Sequence, residues 1–90
     1  MEHRLDVSAL EPPEPLEQIL DTIPRLGPGD YLHVLHRREP HLLYPMLKQA
    51  GFAWWTRPGR AFAFEIFIWH RDDHAAKAAI FGHDAAHPAC

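Results

Sequence analysis

Ninety residues, 47% of them hydrophobic, make one small domain with enough apolar mass for a core, which excludes wholesale disorder. A formal charge of −3 offers no basic field to a phosphate backbone and excludes nucleic acid as the main partner. The eight histidines add a condition: full protonation takes the charge to +5 (−3 plus 8), so the surface changes sign in mildly acidic solution.

The first element is a short strand over residues 4–8, with Leu5 and Val7 pointing one way and Arg4, Asp6 and Ser8 the other. Pro12, Pro13 and Pro15 follow. Proline is tolerated in a helix's first turn because the N–H it lacks has no intrahelical acceptor. Leu16, Ile19, Leu20 and Ile23 then recur at i, i+3, i+4 and i+7, the stripe of an amphipathic helix. Glu14 and Glu17 sit at its positive end, and Pro24 with the Gly27-Pro28-Gly29 turn stops it. A second strand over residues 30–36 sets Leu32 and Val34 against Tyr31, His33 and Leu35. Arg37, Arg38, Glu39 and Pro40 turn the chain into a second helix, with Leu43, Met46, Leu47 and Ala50 as its stripe and Gly51 as its C′ residue. Pro45 inside that pattern requires a start near Leu42 or a kink.

A third strand over residues 52–57 joins, through Pro58, Gly59 and Arg60, a long strand over residues 61–70. That last strand alternates Phe62, Phe64, Ile66 and Ile68 with Ala63, Glu65, Phe67 and Trp69. It is mostly apolar on both faces and therefore belongs inside a sheet. The order β-α-β-α-β-β with right-handed crossovers predicts an α/β (α+β) two-layer sandwich. Its four-stranded mixed sheet has the order 1-2-4-3, and both helices lie on one face. Residues 72–81 form a further short helix capped by Asp72 or Asp73. The expected division is an α/β domain over residues 1–71, then a short helix and a flexible histidine-rich tail over residues 72–90.

The run Leu5-Asp6-Val7, then Leu10-Glu11-Pro12-Pro13-Glu14-Pro15-Leu16, then Gly27-Pro28-Gly29-Asp30-Tyr31-Leu32 resembles the TusA/SirA-like sulfur-carrier superfamily. That superfamily opens with a strand and a Cys-Pro-x-Pro motif at the start of its first helix, and a Pro-Gly-acid turn leads into its second strand. The resemblance implies the same β-α-β-α-β-β sandwich over about the first seventy residues. Pro13, Glu14 and Pro15 match Pro-x-Pro, but Pro12 stands where the family keeps its persulfide-bearing cysteine. Proline has no nucleophile, so sulfur transfer does not carry over. The sequence is similar to the cysteine-less branch of the superfamily, a domain of unknown function found alone or fused to hemerythrin-like modules.

Four groups of residues are candidate sites. The sheet face away from the two helices displays Tyr31, His33, Leu35, Glu65, Phe67 and Trp69, joined by Trp54 or Trp55. So aromatic a face marks an interface with a partner or a second copy, or a surface covered by the C-terminal helix. A planar cofactor such as haem, with His33 as ligand, is a further reading, and Glu65 beside His33 is the one acid/base-like pair. Among the histidines, His33 and His36 point to opposite faces, and His70 and His74 meet only if a helix starts at His70. His83, His87 and Cys90 have the donor types for a transition metal. Cys90 is also the only residue able to act as a displaced sulfur carrier, although nothing near it lowers a thiol's pKa. Arg37, Arg38, Arg57 and Arg60 gather at loop ends and suit an acidic partner.

Together these features predict a non-enzymatic binding module with two working surfaces: the aromatic sheet face and the helix start at Pro12, Pro13, Glu14 and Pro15. The helix start would offer free backbone N–H groups to an anion or a partner loop. The metal- or haem-binding accessory and the residual carrier through Cys90 are the alternatives. With no possible internal disulfide, no signal peptide and no membrane-length apolar run, the expected location is cytoplasmic.

Overall fold

The computed structural model describes residues 1–59 and 64–82. In chain order its elements are β1 (Glu2–Asp6), α1 (Glu14–Thr22), β2 (Tyr31–His36), α2 (Leu43–Ala50), β3 (Phe52–Pro58), β4 (Phe64–His70) and α3 (His74–Gly82). The four strands form one mixed sheet of order β1-β2-β4-β3. β1 runs parallel to β2, and β4 runs antiparallel to both β2 and β3. This is the expected α+β topology, with the most apolar strand in the interior. No helix among the described residues is long and apolar enough to cross a membrane.

β1 lies two residues earlier than expected. Its register pairs Glu2 with Tyr31 and Asp6 with Leu35. Ser8 is instead drawn into a turn, its N–H and hydroxyl both donating to Asp6 Oδ1 at 3.0 and 2.6 Å. These two bonds hold the Asp6 carboxyl below the usual range against a small opposing effect of burial.

α1 takes Pro13 as its N-cap and Pro15 within its first turn. Its apolar stripe holds: Ile19 and Ile23 are buried, and Leu16 and Leu20 pack beside them. The α-helix ends at Thr22 and closes with a single 3-10 turn containing Pro24. α2 starts at Leu43, so Pro45 falls in the first turn, where no ladder bond is lost. Its stripe is narrower than expected. Leu43 and Leu47 are buried, whereas Met46 and Ala50 face solvent. Tyr44 takes up the packing, stacked on Trp54 at 5.2 Å with its hydroxyl 2.6 Å from Thr56 Oγ1. Gly51 closes the helix at φ 86°, a left-handed conformation that favours glycine, and its N–H reaches the carbonyls of Leu47 and Lys48.

α1 and α2 cover one side of the sheet. The core there is aliphatic: Val7, Ile19, Ile23, Leu32, Val34, Leu43, Leu47, Ile66 and Ile68. A second core lies on the opposite side, where Ala76 and Ile80 of α3 pack onto Tyr31, Phe67 and Trp69, with Ala53, Trp55 and Phe81 at the margin. α3 begins at its N-cap Asp73, whose Oδ1 accepts the Ala76 N–H at 2.9 Å. Its other oxygen accepts the Gly29 N–H at 2.7 Å, tying the helix to the turn before β2. Asp30 secures the same turn from within, accepting the Gly27 N–H at 3.0 Å, with His3 Nε2 at 3.1 Å.

Candidate functional site

The aromatic face is closed rather than open. Tyr31, Phe67 and Trp69, expected to face a partner, are buried by the chain's own α3. Trp55 joins them, its ring 5.4 Å from Phe67 and 5.0 Å from Phe81, while Trp54 lies on the opposite side against Tyr44. The covering helix was one of the alternatives read from the sequence, and the structure selects it. Leu35 stays half-buried and is not part of this cluster.

Next to the aromatic cluster the same face becomes ionic. His33 is the one buried polar residue among the described residues, stacked flat on Phe67 at 4.4 Å. His33 Nε2 lies 2.8 Å from Glu65 Oε1, so the expected pair is formed. His33 Nδ1 lies 3.7 Å from Glu2 Oε2, and the Tyr31 hydroxyl donates to Glu2 Oε1 at 2.9 Å. Arg57 completes the chain of charges: its Nη2 is 3.5 Å from Glu65 Oε1, and its guanidinium lies over both Trp55 and Phe67. Burial pushes the Glu65 carboxyl up, but the His33 hydrogen bond and the Arg57 charge together outweigh it and hold the group below the usual range. Burial, then the bond and charge of Glu2, push the Tyr31 phenol up to about 12, so it acts as a fixed donor. The sequence pointed to His33 and Glu65 but missed Glu2 and the role of Arg57. Arg57 pairs with Glu65 across the β3–β4 register, a signal readable only once the hairpin register is known. Every polar group here has a partner within the face. The arrangement fixes geometry, and it presents no nucleophile to a substrate.

A separate concavity of about 70 Å³ opens on the other side of the sheet, at the start of α1. Val7, Leu10, Pro12 and Pro15 supply apolar walls, and Glu11, His36, Arg37 and Arg38 supply polar ones. Little of the expected backbone anion cradle exists. Pro12, Pro13 and Pro15 have no N–H, and the Glu14 N–H donates to the Glu11 carbonyl at 2.9 Å. Positive charge comes instead from side chains. Arg37 lies 3.8 Å from Glu11, with both partners well exposed, and Arg38 is exposed beside it. The Arg38 N–H donates to His36 Nδ1 at 3.1 Å, which puts the proton of the neutral ring on Nε2. Burial, aided by the Arg37 charge, pushes the His36 pKa down, so neutral pH favours that uncharged ring.

The histidines do not converge. His33 and His36 occupy opposite sides of the sheet, as the period of a strand requires. His70 lies edge-on to Phe52, while His74 is exposed on the first turn of α3. Among the described residues no group of three His, Cys, Asp or Glu side chains is placed to hold a metal ion. His83, His87 and Cys90 of the tail, and Arg60, Ala61, Phe62 and Ala63 between β3 and β4, lie outside the described residues.

No curated protein matches the chain, and no solved structure matches it. Residues 4–70 match the family described as "Uncharacterized conserved protein (DUF2249)". The matched segment takes in the second half of β1, all of α1, β2, α2, β3 and β4, and every residue of the concavity; it leaves out Glu2 and stops before α3. With well over half its length inside that match, the chain belongs to the DUF2249 family.

Proposed function

We propose that this protein is a small non-enzymatic binding module, and that its working surface is the concavity at the start of α1. One observation carries the reading: prolines, aliphatic side chains, basic groups and the single carboxylate of Glu11 line the concavity, and none of its eight lining residues is a cysteine or a serine. The resemblance to TusA/SirA-like carriers supports it, because Pro12 of this wall matches the position where those proteins keep a transferable sulfur. A wall of this kind holds a ligand and lacks the thiol with which those carriers accept sulfur. The aromatic side of the sheet is less suited to the role, since α3 already occupies it. In this reading the partner is another protein, met in the cytoplasm.

Titrating the isotope-labelled full-length chain with inorganic phosphate, acetate and isopropanol, and following backbone amide shifts, tests the proposal. Shifts gathered on Leu10, Glu11, His36, Arg37 and Arg38 are expected; scattered shifts, or none, overturn it. Intact-mass measurement after exposure to an enzymatic persulfide donor gives the second arm. An unchanged mass is expected, and a chain that gains sulfur at Cys90 overturns the non-enzymatic reading in favour of a carrier.

A further inference from the structure

The chemistry of the concavity narrows what it holds. At about 70 Å³ it accommodates one small side chain, far less than the pockets that engulf a whole small-molecule ligand. Its floor and one wall are apolar, with Val7 buried beneath Leu10, Pro12 and Pro15. Beside these walls it is lined by the exposed Arg37 and Arg38 and by His36, whose neutral ring carries its proton on Nε2. Arg37 already faces one carboxylate, the exposed Glu11 of the same chain at 3.8 Å, a weak contact that an incoming carboxylate can replace. An apolar group and a carboxylate must therefore be presented within a few ångströms of each other. The last residue of a polypeptide does this in a single unit when its side chain is aliphatic. A free carboxylic acid of the same shape would satisfy the same groups but would gain nothing outside so shallow a depression. A chain continuing across the surface adds contacts there.

From this we infer that the concavity is a docking site for the C-terminal residue of a partner protein, with a small aliphatic side chain seated against Val7, Leu10, Pro12 and Pro15 and its carboxylate on Arg37 and Arg38. His36 is a neutral donor in this arrangement, fixed in its tautomer by the Arg38 N–H. Capture of a terminal carboxylate is a known mode of peptide recognition, here supplied by side chains rather than by backbone N–H groups.

The inference rests on the binding-module reading, and its test separates the two. The labelled full-length chain is titrated with acetyl-Gly-Gly-Leu as the free acid, the same peptide as its amide, acetyl-Gly-Gly-Gly as the free acid, and isovalerate. The leucine free acid is expected to bind in the millimolar range and to shift Leu10, Glu11, His36 and Arg38. The amide should bind about tenfold more weakly, as loss of a charge-assisted Arg–carboxylate contact implies. The glycine peptide should also be weaker, and isovalerate weaker than the leucine peptide. The double variant Arg37→Glu with Arg38→Glu should lose the response while keeping its remaining amide spectrum, since both side chains are exposed. Equal binding of acid and amide, isovalerate binding as tightly as the peptide, or an undiminished response in the variant overturns the inference. If phosphate or isopropanol shifts these residues and no peptide does, the inference alone falls. If no probe shifts them, the binding-module reading falls with it.

Discussion

The side of the sheet under α1 and α2 and the side under α3 are built from different materials. Under α1 and α2 the core is aliphatic and nearly solvent-free, with Leu32, Val34, Leu43, Leu47, Ile66 and Ile68 all at 0% exposure. Under α3 the core is made of rings, and it passes directly into the ionic chain of Glu2, His33, Glu65 and Arg57. Aliphatic packing is non-directional and stabilises in proportion to area removed from water. A line of stacked rings and paired charges instead constrains orientation, because each member must meet its partner at a set distance and angle. The first side therefore holds the domain together, and the second specifies how β2, β3 and β4 align.

Substitutions that treat the two sides alike put that contrast to the test. Leu47→Ala, under α2, is expected to cost about 3 kcal/mol, a large share of what so small a domain has, read from urea unfolding. Ile80→Ala, on α3, removes a side chain just as buried but should cost only about 1–2 kcal/mol, because α3 rests on the sheet through few residues and can detach before the sheet opens. Its clearer signature is hydrogen exchange: α3 amides lose protection while β2 and β4 amides keep theirs. Equal losses in the two variants, with global loss of protection in both, would erase the distinction. Glu65→Gln should cost about 1 kcal/mol, since one charged partner of a satisfied network becomes neutral. The sign of its pH dependence follows from the depressed Glu65 pKa. The native group's stabilisation is complete above the ordinary carboxylate range and is lost as pH falls through its lower native value. The variant should therefore lose part of the decline in stability on acidification, and an unaltered acid limb would contradict the network. The last and mildest change is Asp73→Asn, which keeps a side-chain oxygen for the Ala76 N–H but turns its amide nitrogen to the Gly29 N–H and should speed exchange at Gly29 alone. Asp73→Ala should speed exchange at Gly29 and throughout the first turn of α3.

Much of this molecule is legible before any coordinates are seen, and the illegible parts have physical causes. Alternation in residues 64–70 and the i, i+3, i+4, i+7 stripe from Leu16 to Ile23 specify a central strand and a covering helix, and crossover handedness then orders the sheet. Met46 misleads because a repeat of apolar residues does not reveal how wide a face the sheet can cover; Tyr44 fills that space through Trp54 and Thr56. The sequence leaves the closure of the aromatic side as one alternative beside an interface, because α3 contacts it mainly through Ala76 and Ile80, an i, i+4 pair in an alanine-rich helix with little pattern. In the candidate concavity, Pro12 and Pro15 stand out in the sequence. That His36, Arg37 and Arg38 share their wall depends on β2 ending beside the start of α1, a tertiary fact.

The double hold of the Asp73 carboxylate, on the Ala76 N–H and on the Gly29 N–H, has a kinetic corollary. The Ala76 bond is local to the helix start, but the Gly29 bond cannot form until the turn ahead of β2 has taken shape, so α3 should settle onto an already assembled sheet as the closing event of folding. Changes within α3 are then expected to quicken unfolding and to leave the refolding rate nearly untouched, the opposite of changes beneath α1.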